Sequence, residues 1–158
     1  MLVYHGTTMK IEKPDVQHSK KNLDFGQGFY VTTIKKQAEK WAKRKAMRTN
    51  SKAMINVYEM KQDYNGLQTM IFKNTDKEWL EFVCNCRKGK DEYKKYDIII
   101  GNVADDDVFK TIDMYFKGFW DIERTIKELK YYKNNDQITF ITEKAIKQLL
   151  IFKECYEV

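Results

Sequence analysis

Apolar and polar positions alternate in short blocks along the chain, and the blocks predict its elements one by one. Residues 2–5, Leu-Val-Tyr-His, read as a strand. Residues 6–22 are polar, hold the only proline, Pro14, and read as a long loop. Phe25-Gly26-Gln27-Gly28 is a glycine-bent turn leading into five β-formers at residues 29–33. Thr33 is placed to cap a helix over residues 34–47, with Ala38, Trp41, Ala42 and the Lys45 stem on its buried side. Residues 53–60 alternate as a half-buried strand, residues 63–67 form a turn, and residues 68–72 form a further short strand. The spacing of Trp79, Leu80, Phe82, Val83 and Cys86 predicts a helix over 74–87, with Asp76 near its start. Residues 96–103 contain Ile98-Ile99-Ile100, a continuous apolar run that suits a central strand. Helices follow over 107–116 and 120–131, a strand over 137–142, a helix over 143–150 and a last strand over 151–156.

Strands and helices are mixed without βαβ regularity. That order predicts an α+β fold with mostly antiparallel or split sheets. The 158 residues suit one domain, residues 1–158, large enough to bury a core without disulfide staples. No repeat, linker or low-complexity stretch divides it.

Composition narrows the chemistry. The net charge of +6 fits a basic surface, and equally a polyanion partner: NAD+ phosphates, nucleic acid or an acidic antitoxin. An odd set of three cysteines and a start that runs straight into a strand point to a reducing, cytoplasmic setting. Cys84 and Cys86 lie two apart in a helical pattern, on different faces, and there are only two histidines, so no metal site is expected. Asp105, Asp106 and Asp107 resemble a metal cluster but sit where a helix should begin, where acids satisfy open N–H groups. No apolar run approaches the ~20 residues that span a bilayer, so no membrane partner is expected.

Several catalytic frames are missing. There is no Gly-x-Ser-x-Gly elbow and no Walker loop, and Gly26-Gln27-Gly28 lacks the third glycine and following helix of a dinucleotide fingerprint. What remains is a His before Gly at a strand end, and a Gly-x-Gly bend opening an aromatic strand. Gly6 can let a ligand approach the backbone while His5 bonds it, or the pair can be a surface histidine beside a turn. Alternation sends Phe29 and Tyr30 to opposite faces.

His5-Gly6-Thr7 and Gly26-Gln27-Gly28-Phe29-Tyr30-Val31-Thr32 together resemble the first two motifs of the ADP-ribosyltransferase superfamily, in its diphtheria-toxin-like and poly(ADP-ribose)-polymerase branch. Trp41 stands eleven residues after Tyr30, where the polymerases carry a second aromatic. The whole chain is similar to a small bacterial family catalogued as domain of unknown function 3990. The shared stretches are residues 23–30, 37–38, 41–42, 78–83, 96–101, 103–106 and 137–140.

The resemblance implies an ADP-ribosyltransferase-like split β-sheet core with surrounding helices. It implies NAD+ as substrate, with no metal, and an enzyme moving one ADP-ribose to a macromolecular acceptor, protein or nucleic acid. It also implies a toxin with a partner antitoxin. His5 would bond the adenosine ribose and the Gly6 backbone the nicotinamide amide. Thr7 would add a polar contact, Gly28 would belong to the cofactor-binding set, and Tyr30 and Trp41 would sandwich the nicotinamide. The catalytic set would be His5, Tyr30 and a third-motif residue. Active polymerases have Glu there, and Gln137 is its match here. An amide supplies no charge to an oxocarbenium-like transition state, so Glu143 and Glu81 stand as alternatives for the carboxylate. Gln137 equally favours a non-catalytic module that binds NAD+, another nucleotide or RNA. A relative acting on RNA 2′-phosphate would want more Arg and His near the motifs.

Overall fold

The computed structural model describes residues 1–133 and 135–158. Two sheets form its centre. Strand β1 (Leu2–Thr7), β3 (Met54–Met60) and β7 (Leu150–Glu157) build an antiparallel sheet in the order β1-β3-β7. Strand β2 (Phe29–Val31), β4 (Thr69–Ile71), β5 (Ile98–Asn102) and β6 (Asp136–Phe140) build the second, in the order β2-β6-β5-β4. Only the β4–β5 pair is parallel. A bridge between Tyr4 and Thr32 joins the two sheets, with paired bonds of 2.8 and 3.0 Å. The fold is therefore α+β with a divided sheet.

Among the described residues five α-helices surround the sheets: α1 (Lys35–Thr49), α2 (Lys77–Arg87), α3 (Asp106–Phe116), α4 (Ile122–Leu129) and α5 (Glu143–Leu149). Asp76, Asp105, Asp121 and Thr142 cap α2 to α5 by accepting from backbone N–H groups. Asp105 thus serves as the cap of α3, with Asp106 and Asp107 in its first turn.

Helix α1 departs from its sequence reading. Ile34, not Thr33, occupies the cap position, and no side chain caps the helix. The Asp136 carboxylate accepts from the Thr33 N–H at 3.2 Å and from Thr32 Oγ1 at 2.6 Å. Thr32 Oγ1 in turn accepts from the Ile34 N–H. A strand β6 side chain therefore holds the β2–α1 corner, and Thr33 is left exposed.

Strand β3 departs too. The alternating pattern predicts one buried face, yet Ile55, Asn56, Val57 and Tyr58 are all buried. As the middle strand it is covered twice. Ile55 and Val57 meet Ala38, Ala42 and Ala46 of α1, while Tyr58 and Met60 join the core around Phe29 and Phe140. Gly6 makes the first contact tight. A Cβ there would run into the Ala38 carbonyl and the Ala42 nitrogen, so β1 lies against α1 at a distance only glycine allows.

Candidate functional site

The end of β1, the start of β2, one side of α1 and the loop between β1 and β2 enclose a cavity of about 760 Å³. That is within the ~300–1,000 Å³ usual for small-molecule sites. His5, Gly6, Thr7, Gly28, Tyr30 and Trp41 all line it. Gln137, Glu143 and Glu81 do not.

His5 is fixed from both sides. Its ring stacks on Phe29, with centroids 4.5 Å apart. Its Nδ1 lies 2.6 Å from the Tyr30 carbonyl. A carbonyl oxygen only accepts, so Nδ1 carries the proton and donates. Burial lowers the imidazole pKa from 6.5 to about 4, against the Tyr30 bond and with the help of nearby Lys45. The ring is therefore neutral at pH 7, and Nε2 is a bare acceptor suited to a hydroxyl donor.

Tyr30 holds no proton in play. Its hydroxyl donates to the Gly26 carbonyl at 2.6 Å and accepts from the Phe25 N–H at 3.1 Å. Burial, with Asp24 nearby, raises its pKa well above 10. The Gly26-Gln27-Gly28 bend is thus tied to the aromatic ring it precedes. Gly28 has a packing reason as well: a Cβ would meet the Phe140 carbonyl and the Thr139 methyl. Thr7 is buried, and its Oγ1 accepts from Lys45 Nζ at 3.2 Å.

Two buried polar groups in β3 hold the loop over the cavity. Asn56 Oδ1 accepts from the Ile11 N–H at 2.7 Å, and its Nδ2 donates to the Met9 carbonyl at 2.9 Å. The Tyr58 hydroxyl donates to the Ile11 carbonyl at 2.5 Å. Gln27 Nε2 ties down Gln17 and Ser19, and the Ser19 hydroxyl accepts from the Gly28 N–H. The stretch read as a polar loop is one wall of the site.

That wall carries residues that sequence reasoning missed. Lys10, Glu12, Lys13 and Asp15 line the cavity from the loop, and Arg44, Lys45 and Arg48 line it from α1. Lys10 pairs with Glu12, His18 with Asp15 at 2.7 Å, and Arg44 with Asp106 at 2.6 Å. Lys13 and Arg48 make no ion pair among the described residues. The signal available in sequence was Asn56, a buried-type amide in the middle of an apolar strand, which needs partners from elsewhere.

Gln137 stands in different surroundings from the other candidates. It is 2% exposed and does not line the cavity. Its Nε2 points to Asp24 Oδ2 at 3.3 Å and to the Asn102 carbonyl at 3.4 Å. Asp24 also accepts from both Nε and Nη2 of Arg87 and from the Ala104 N–H. Gln137 is part of that framework. Glu143 accepts from the Val16 N–H at 3.1 Å, a link from α5 to the loop. Glu81 faces Lys77 on the surface of α2.

The family described as protein of unknown function (DUF3990) matches residues 1–151 of this chain, so the chain belongs to that family. No curated protein and no solved structure matches it.

Proposed function

We propose that this family member has an ADP-ribosyltransferase-like fold, binds NAD+ in the cavity beside His5, and transfers ADP-ribose to a macromolecular acceptor. The observation that carries the reading is the neutral His5, whose Nδ1 is committed to Tyr30 and whose Nε2 is left as an acceptor at the cavity wall. Such a group recognises a ribose hydroxyl. Trp41 and Tyr30 offer flat surfaces in the same space for nicotinamide. Lys13, Lys45 and Arg48 supply the positive charge a pyrophosphate wants.

In the transfer the bond between ribose C1′ and nicotinamide breaks. Its electron pair leaves with nicotinamide and neutralises that ring. The acceptor forms the new bond to C1′ and releases its proton to solvent. An anion near C1′ favours the cationic transition state. With Gln137 outside the cavity lining, Glu12 and Asp15 are the acids lining the cavity among the described residues. One of them takes that part.

A second reading has a specific observation behind it. No third-motif carboxylate faces the cavity, which favours a module that holds NAD+ or another nucleotide without cleaving it. Calorimetric NAD+ titration and single-turnover nicotinamide release separate the two. Trp41→Ala removes a stacking face and should weaken NAD+ by about 1–3 kcal/mol, roughly 5- to 150-fold in Kd. Wild-type release of nicotinamide that is lost in Glu12→Gln or Asp15→Asn supports the transferase. Tight binding with no release supports the module. A folded wild type that does not bind NAD+ ends both.

A further inference from the structure

Helix α1 holds seven basic residues and one acid, Glu39, a surplus of six. The net charge of the whole chain is also +6. The rest of the molecule is therefore balanced, and the positive field belongs to one helix on the edge of the cavity.

Most of that charge does not help the helix itself; Arg48 alone stands in the last turn, where a cation suits the dipole. α1 has no acid in its first turn and no side-chain cap, whereas α2, α3, α4 and α5 each have both. Lys35 and Lys36 stand at the positive end of the helix dipole. Lys36, Lys40, Arg44 and Arg48 follow one another at four-residue spacing, where like charges repel. Among the described residues only Arg44 of α1 has an ion-pair partner, Asp106. Lys36, Lys40 and Lys43 are exposed, with neutralising side chains absent from the ion pairs around them.

The apolar side of α1 is consumed by packing. Ala38, Ala42 and Ala46 pack with Ile55 and Val57 of β3, and the buried Gln37 donates to the Asp136 carbonyl of β6. The outer face offers cations without the row of large apolar side chains that an interfacial membrane helix buries. A face of unpaired cations asks for a regular polyanion. Helical geometry places its four-residue steps about 6 Å apart along the axis. Arg44 and Arg48 continue the row to the cavity, beside Trp41. A base delivered there must be free of a partner strand to reach the cavity.

We infer that the outer face of α1 binds the phosphate backbone of a single-stranded nucleic acid, and that this strand is the acceptor presented to the cavity. The acceptor role rests on the proposed function; the binding does not. In the step, a nucleophilic nitrogen or oxygen of the strand bonds to ribose C1′ as nicotinamide leaves with its electron pair. The proton of the nucleophile passes to solvent.

The test uses fluorescently labelled 20-nucleotide oligothymidylate and oligouridylate, read by anisotropy over a salt series. The variant is Lys36→Gln/Lys40→Gln/Lys43→Gln, none of which lines the cavity. Wild type should bind, and the variant should bind more weakly, with a log Kd versus log salt slope shallower by about 2, since each phosphate contact contributes ~0.7. NAD+ affinity should be unchanged in the variant. With radiolabelled NAD+, label should enter the oligonucleotide with wild type and drop with the variant. Oligonucleotides that fail to bind, or a variant with the wild-type slope, overturn the inference. So does equal binding to a 20-residue polyglutamate, which points to an acidic protein, or preferential retention on phosphatidylserine vesicles. Label confined to protein overturns the acceptor role while leaving the transferase reading standing. Loss of NAD+ binding with the expected oligonucleotide slope does the reverse: the transferase reading falls and the α1 surface stands.

Discussion

The His5 imidazole shows how one ring can be read for both binding and stability. Its folded pKa is lowered to about 4 from 6.5, so the unfolded chain binds the proton more readily. Between those values unfolding takes up protons. The contribution of His5 is complete above pH 6.5 and is lost as pH falls toward 4. The full shift would be worth at most about 3 kcal/mol, and less because the ring is only half-buried. Thermal denaturation from pH 7.5 to 4.5 should show a smaller loss of Tm in His5→Gln than in wild type. NAD+ affinity should stay level from pH 8 to about 5.5, because a neutral acceptor is already present throughout. An affinity that climbs as pH falls through 6.5 would mean that the charged ring does the binding. Gln137 carries a second residue-scale prediction. Gln137→Glu sets a new carboxylate beside Asp24, where the amide now stands 3.3 Å away. Two like charges at ~4 Å cost about 4 kcal/mol at an effective dielectric near 20. The introduced carboxyl should therefore keep its proton to higher pH. The variant should be less destabilised at pH 5 than at pH 8, by urea titration. Faster NAD+ hydrolysis in Gln137→Glu without loss of stability would instead return position 137 to the reacting centre.

At the scale of elements, much was legible because the hydrophobic period is local. The predicted helix over 74–87 appears as Lys77–Arg87, and that over 34–47 as Lys35–Thr49. The Ile98-Ile99-Ile100 run is an interior strand between β6 and β4, as a continuous apolar run requires. What failed was set by distant partners. Thr33 looked like a cap until Asp136, about a hundred residues later, claimed its N–H. Residues 53–60 alternate like a one-faced strand, but while α1 covers the Ile55 and Val57 face, the loop after β1 and the core around Phe29 cover the Asn56 and Tyr58 face that solvent would have had. The turn at Glu92–Lys95 and the parallel β4–β5 pair have no period of their own to announce them. The site divides in the same way. His5, Gly6, Thr7, Gly28, Tyr30 and Trp41 belong to strand ends and one helix, and they share a cavity. Gln137 was read from its place in a motif, and only the side-chain direction along β6 shows that it faces Asp24. The cations of the loop gave no signal, because a polar loop looks alike whether it is a wall or a tether.

At the scale of the whole molecule, one carboxylate joins parts that sequence separates widely. Asp24 lies in the loop ahead of the Gly26 turn, and it receives Arg87 from the end of α2, the Ala104 N–H before α3, and Gln137 from β6. The two charged side chains are largely shielded, with 9% of Asp24 and 22% of Arg87 exposed. The Arg87 guanidinium also lies over the Phe109 ring at 4.1 Å, so α3 rests on the same pair. Asp24→Ala leaves that guanidinium and the Ala104 N–H without the acceptor they share, and leaves the Gln137 amide only the Asn102 carbonyl. Removing one partner of a buried pair typically costs about 3–5 kcal/mol, more than the pair contributes against apolar replacements. Against a domain stability of about 5–15 kcal/mol, that is enough to populate unfolded chain. Urea denaturation should show the midpoint of Asp24→Ala well below wild type. Asp24→Leu/Arg87→Met removes both charges and fills the space, so it should recover part of the loss. The cavity gives a second readout. Asp24 precedes Phe25, whose N–H holds the Tyr30 hydroxyl, and so NAD+ affinity should fall in Asp24→Ala even where the chain remains folded. A cost under about 1 kcal/mol would show that water takes over the Arg87 contacts, and that the four elements are held by apolar packing alone.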